Sequence, residues 1–363
     1  MLEAALSNSS SCPRIVRKTP HRKVVIMPSL KSPLLAGIFL AFCAITAAAQ
    51  DPKPTLTVYT YESLAGEYGP GAKIKEGFES VCNCALEWVA TDDAGTLLAR
   101  LKLEGDTSAA DVVLGLDTNL MAEAKASGLF VPHGVEVGAL DLPVDWNDDT
   151  FVPFDWGWFA FVYDSSKLAN PPTSFAELVE APNGLTILIE DPRTSTPGLG
   201  LLTWVREIYG DRAADIWKTL KPRIVTVTKG WSEAYGLFLD GEADMVLSYT
   251  TSPAYHISAE KETKYKAAIF AEGHPLQVEI GGIVKSSDQP DLAHQFIAFM
   301  MSDAFQSTIP EGNWMYPAKS LSAGLPASFT GLDKPAKSFL TAPEDIQADR
   351  RTWIDAWLAA MSL

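Results

Sequence analysis

In the run DPRTSTPGLGLLTW, Asp191 to Trp204, three hydroxyl residues stand directly before a proline and two glycines. Thr194, Ser195 or Thr196 can cap a helix there, and Pro197 suits a first turn, where its missing N–H costs nothing. The free N–H groups and the dipole of such a helix start favour an anion or a polar oxygen. No lysine follows the second glycine, so the run is not a phosphate-hydrolysing P-loop. The competing reading is a well-capped helix and nothing more. A second stretch, LSYTTSPAYH, sets out Tyr249, Thr250, Thr251, Ser252 and Tyr255 after a buried strand. It is either a hydrogen-bonding rim with two rings or a polar turn capping a short helix at Ser252–Pro253. Trp231 opens a helix, where its indole N–H can donate. Tyr59, Tyr61 and Tyr68 lie in and just after the first strand, and Trp314 and Tyr316 follow near the end. Several rings with few basic groups suit a flat cation held by stacking and cation–π attraction. Asp92 and Asp93 precede a helix; their spacing favours capping, and a cation or amino group is the alternative partner.

Constellations for bond-making are weaker. There is no G-x-S-x-G elbow. His256 and His274 are lone imidazoles, read as structural. Cys82 and Cys84 form a C-N-C pair that could close a small disulfide in an oxidising compartment. Two thiols alone make a poor zinc site, and no H-E-x-x-H spacing is present, so no metal site is expected.

The elements that must position these residues alternate. Strand-like Leu56–Thr60, Leu86–Ala90 and Asp111–Gly115 are separated by helix-like Ala72–Val81 and Gly95–Glu104. A second series has strands at 159–163, 185–189, 224–227 and 245–248, with helices at 174–180, 197–209, 211–220 and 231–239. Extended Leu276–Val284 and helical Leu292–Met301 follow. Strands joined through helices imply βαβ units and mostly parallel sheets. Two such series imply an α/β chain of two lobes, each with its own sheet. Ligands then bind beyond the strand ends, in the cleft where the sheets face each other.

The first 49 residues read as a secretory signal peptide. Six basic residues from Arg14 to Lys31 precede the apolar run Leu34–Thr46, which ends in Ala47–Ala49. The run is shorter than the roughly 20 residues a membrane span needs. Met27 is a candidate start giving a signal of ordinary length. Beyond position 49, 23 basic residues face 44 acidic ones, a net charge of −21. That balance argues against nucleic-acid or anionic-membrane binding, which call for basic patches.

Taken together, LTVYTYESLAGEYGPG, CNC, ADVVLGLD, NDDTFVPFDWGWFAFVYD, DPRTSTPGLG, VTKGWSEAYGLFLDGE, LSYTTSPAYH and EGNWMYP closely resemble the periplasmic thiamine-binding family of the thiamine ABC importer. The resemblance covers essentially the whole chain after position 49. It implies the type II periplasmic-binding-protein fold, two hinge-connected α/β lobes with a ligand cleft between. The expected division is residues 50–154 and 276–330 for the first lobe and 155–275 for the second. Residues 331–363 are left to either lobe. The resemblance further implies a periplasmic carrier of thiamine, thiamine monophosphate or thiamine diphosphate. It would serve a membrane permease with a cytoplasmic ATPase, as a monomer with no cofactor. Carried over by motif, the ligand contacts would be Asp93, Ala94, Ser195, Thr196, Trp231 and Tyr249, Thr250, Thr251, Ser252. Tyr61, Tyr68, Tyr255 and Trp314 match the family's cleft aromatics. Two positions depart from the pattern: Ala94 intervenes between the acid and Gly95, and Tyr68 stands where the family has a tryptophan. The rivals are a thiaminase-like enzyme on the same fold, needing a free cleft cysteine, and a ferric-ion-binding protein using Tyr249 and Tyr255.

Overall fold

Leu56 and Val58 alternate with less buried neighbours, and the period-two pattern makes Thr55–Tyr61 a strand, β1, with its apolar side in the core. The structure, a computed structural model, describes residues 53–181 and 184–362. The expected signal peptide lies outside the described residues. Strands β2 (Ala85–Thr91) and β3 (Val112–Asp117) follow, both parallel to β1. After the short β4 (Phe130–Val131), β5 (Phe151–Asp164) runs for 14 residues with nearly every side chain buried.

The second half contributes β6 (Ile187–Glu190), β7 (Ile224–Thr228), β8 (Met245–Tyr249) and β9 (Tyr265–Ala268). The chain returns through β10 (His274–Val284) and ends its strands with two-residue β11 (Tyr316–Pro317) and β12 (Ser338–Phe339). The main order is β2-β1-β3-β10-β5-β8-β6-β7. Helices connect the parallel neighbours, as crossovers between parallel strands require.

One strand joins the two halves. The first part of β5, Phe151–Trp158, pairs antiparallel with β10, whose other edge lies on β3. From Phe159 onward β5 pairs with β8 and β9 instead. The boundary expected at 154/155 thus falls inside β5, and the one at 275/276 inside β10. The chain's last helix, Pro343–Ser362, packs on both Ala213–Leu220 and Met121–Ala126. Trp357 meets Trp217 edge to face, and Arg350 pairs with Glu123 at 2.5 Å.

Candidate functional site

Where the halves meet, the strand ends and the loops after them line a cavity of about 680 Å³, within the usual range for small-molecule sites. Of the residues expected at a ligand, Tyr61, Tyr68, Asp93, Trp231, Tyr249, Ser252, Tyr255 and Trp314 line it together. Ala94, Ser195, Thr196, Thr250 and Thr251 do not; each is buried behind the lining.

The opening loop is used as a cap. Ser195 accepts from the Gly198 N–H and begins the helix Thr196–Tyr209, with Pro197 in its first turn. Pro197 itself reaches the cavity. Asp93 caps the facing helix, Ala94–Glu104, by accepting from Ala94 N at 2.8 Å. The two helix starts touch: Thr96 N donates to Thr194 O at 3.2 Å. A Cβ on Gly95 would meet the Thr194 carbonyl at 2.7 Å. The glycine one place beyond Ala94 is therefore what lets the halves approach here. Close by, Lys229 lies 3.7 Å from Asp92. Burial raises the Asp93 carboxyl to about 6, against the hydrogen bond from Ala94.

Trp231 differs from its expected role. Its indole N–H donates to Ser248 Oγ at 2.7 Å, and Ser248 in turn bonds Ser252 Oγ at 2.7 Å. The ring is stacked on Tyr235, centroids 4.8 Å apart, so Trp231 offers the cavity a surface and not a donor. Tyr235 Oη lies 2.9 Å from His256 Nε2, and His256 Nδ1 lies 2.6 Å from Glu260. Burial lowers the His256 pKa against the pull of Glu260. The neutral ring donates from Nδ1 to Glu260 and accepts from Tyr235. His274 is likewise structural: it accepts from Phe270 N at Nε2, its Nδ1 lies 2.7 Å from Phe159 O, and burial lowers it to about 4.

On the opposite wall the rings were expected, but the acids and amides around them were not. Glu279 on β10 lines the cavity and accepts from Tyr61 Oη at 2.6 Å. Asn313 donates to Asp155 at 2.6 Å and lies 2.8 Å from Tyr61 Oη. Gln277 donates to Tyr249 Oη at 3.2 Å. Burial, then repulsion from Asp155, raises Glu279 well above the carboxylate range, and burial raises Asp155 too. An acid inside the otherwise uncharged stretch LQVEIGGIV was the available signal, because an unpaired charge is seldom placed in a buried strand. Trp314 adds backbone strain. Its φ is 56°, a left-handed conformation that bulky residues rarely take, and it turns the indole edge-on to Tyr255 at 5.3 Å.

Glu62, Glu67, Asp92, Asp93 and Glu279 line the cavity, and among the described residues no lysine or arginine does. No group of three His, Cys, Asp or Glu side chains among the described residues is placed to hold a metal ion. Cys82 and Cys84 are bridged, so neither offers the free thiolate an enzyme of the thiaminase kind requires. Burial and the surrounding carboxylates raise Tyr249 well above its usual range, which opposes the phenolate a ferric site would use.

An α/β chain whose halves are joined by crossing strands beside a cavity has the architecture of a solute-binding protein. The family described as bacterial extracellular solute-binding protein matches residues 60–307, and the chain belongs to it. Among curated relatives, the thiamine-binding periplasmic protein of Escherichia coli strain K12 is 56% identical over 310 residues, 85% of this chain and 94% of that one. The protein of the same description from Brucella suis biovar 1 is 51% identical over 329 residues, 91% of this chain and 98% of that one. A solved periplasmic thiamin binding protein superimposes with a TM-score of 0.84 at 55% identity, covering 86% of this chain and 97% of that one.

Proposed function

We propose that the protein is the capture component of an ABC importer. It takes up thiamine and its phosphate esters in the periplasm, closes over them, and presents them unchanged to a membrane permease driven by a cytoplasmic ATPase. The observation that carries this reading is the cavity lining, in which aromatic rings and five carboxyl residues share one space without a basic residue among those described. Such a lining stacks a flat ring and attracts positive charge. In this reading the pyrimidine lies among Tyr61, Tyr255 and Trp314, with its amino and ring nitrogens toward the Tyr249–Ser252 turn. The polar tail points toward Pro197, in front of the buried Ser195–Thr196 turn, and to Trp231, where the helix Trp231–Leu239 begins and free N–H groups suit a phosphate. The lobe division expected from the sequence is part of the proposal, with β5 and β10 as the crossing strands about which the halves close. The protein acts as a monomer, makes no bond and needs no cofactor.

Calorimetric titration with thiamine, its monophosphate and its diphosphate tests the reading. Single-site binding of thiamine is expected, and no binding of any of the three overturns it. Trp231→Ala should weaken the phosphorylated forms more than bare thiamine; equal losses reject the orientation.

A further inference from the structure

Three carboxyl groups stand in one row across the centre of the sheet. The pairing register places Glu279 of β10 directly opposite Asp117 of β3 on one side and Asp155 of β5 on the other. Directly opposed residues on neighbouring strands point to the same face. All three are buried, and like charges in such positions repel. Among the described residues, the groups facing Glu279 supply no compensating cation. They are Tyr61 from β1, Asp117 from β3, Asp155 from β5, Tyr249 from β8, the neutral Asn313, and Gln277 on its own strand. Arg350 acts on Asp117, at the far end of the row. Among the described residues, one oxygen of Asp155 and one of Asp117 have no hydrogen-bond partner. Only Glu279 of the three reaches the cavity.

We propose that Glu279 is the counter-charge for the cationic ring of the ligand, and that the row gives up a proton to solvent as the ligand enters. The inference rests on the function proposed above and adds the residue that selects for charge. Empty, the row cannot hold its full negative charge in a buried site, so a proton stays between Glu279 and Asp155. A permanent cation beside Glu279 replaces that proton: the carboxyl O–H bond breaks, the electron pair stays on the carboxylate, and the proton passes to buffer. Burial keeps the neighbouring phenols of Tyr61 and Tyr249 protonated throughout. Asp93, the other buried acid on the lining, is shifted only to about 6 and is ionised well above that pH.

The test is calorimetry at pH 8, in two buffers of different ionisation heat, with unphosphorylated thiamine and with a neutral thiophene isostere that keeps the pyrimidine. Wild type should release about half a proton or more with thiamine and none with the isostere, and thiamine affinity should rise from pH 6 to 8 by up to about tenfold per unit. Glu279→Gln should abolish the release and weaken thiamine about 30-fold while moving the isostere by less than about threefold. If Glu279→Gln does not fold by circular dichroism, Asp155→Asn is read instead. It should reduce proton release while thiamine still binds, because Glu279 then ionises without its opposing neighbour. Buffer-independent heat, or equal losses for both ligands, overturns the inference and leaves the proposed function standing. Failure of wild type to bind thiamine at any pH strikes the proposed function itself.

Discussion

The two walls of the cavity are built on opposite plans. On the Trp231 side the ring residues form a chain of local hydrogen bonds: indole on Ser248, Ser248 on Ser252, Tyr235 on His256, His256 on Glu260. On the Glu279 side, among the described residues, buried oxygens of Asp155 and Gln277 lack hydrogen-bond partners. A satisfied wall holds its shape before a ligand arrives, whereas an unsatisfied one is completed by what it binds. The contrast assigns shape to one wall and charge to the other.

The largest effect should come where the walls meet. Trp314→Ala removes a ring from the lining and should weaken the ligand by about 2–3 kcal/mol, roughly a hundredfold. A loss under about fivefold by titration would mean that the ring does not share the ligand's space. Next is the contact that closes the halves. Gly95→Ala pushes a methyl group into the Thr194 carbonyl and should cost about tenfold in affinity with a larger radius of gyration for the liganded protein in solution scattering. Unchanged scattering and affinity would show that the two helix starts need not touch for capture.

The walls should also answer pH with opposite signs. The folded His256 pKa is lowered, so as pH falls below about 6.5 the unfolded chain binds the proton first. Its stability contribution is full above that value and lost on acidification. Glu279 and Asp155 are raised, so the folded chain holds protons that the unfolded chain has released above about 4. Their contribution is full in acid and is lost as pH rises through the folded values. Urea melts should accordingly show His256→Gln removing part of the acid-side loss and Glu279→Gln part of the alkaline-side loss. If both variants shift the same limb, the assignment of charge to one wall fails. The smallest effect belongs to Trp231→Phe, which deletes the indole N–H and keeps a ring. Because that N–H is spent on Ser248, affinity should change by less than about threefold; a larger loss would make Trp231 a donor to the ligand.

Much of the frame was legible in periodicity. Leu56–Thr60, Ala72–Val81, Gly95–Glu104 and Trp231–Leu239 lie within one or two residues of the elements found, because each carries its pattern locally. The first half of β5 was missed: Pro153 and Gly157 interrupt FVPFDWGW, and its extended form is imposed by β10 alongside. Among site residues the aromatics were readable, since rings just after strands are hard to place in a core. Ser195 and Thr196 carried a double signal, cap and contact, and the structure uses Ser195 as the cap. Glu279 and Asp155 gave no motif because their meaning lies in register, 124 positions apart in the chain and side by side in the sheet.

The closing helix has a mechanical consequence. Pro343–Ser362 rests on a helix of each half, so on the proposed lobe division it spans the two lobes like a tendon. Swinging the halves apart must slide or stretch that seam, and a wide gape is resisted by the same tryptophan contact that anchors it. Cutting the chain before Pro343 should therefore leave a slacker clasp, one that releases its cargo faster than it gains entry for it.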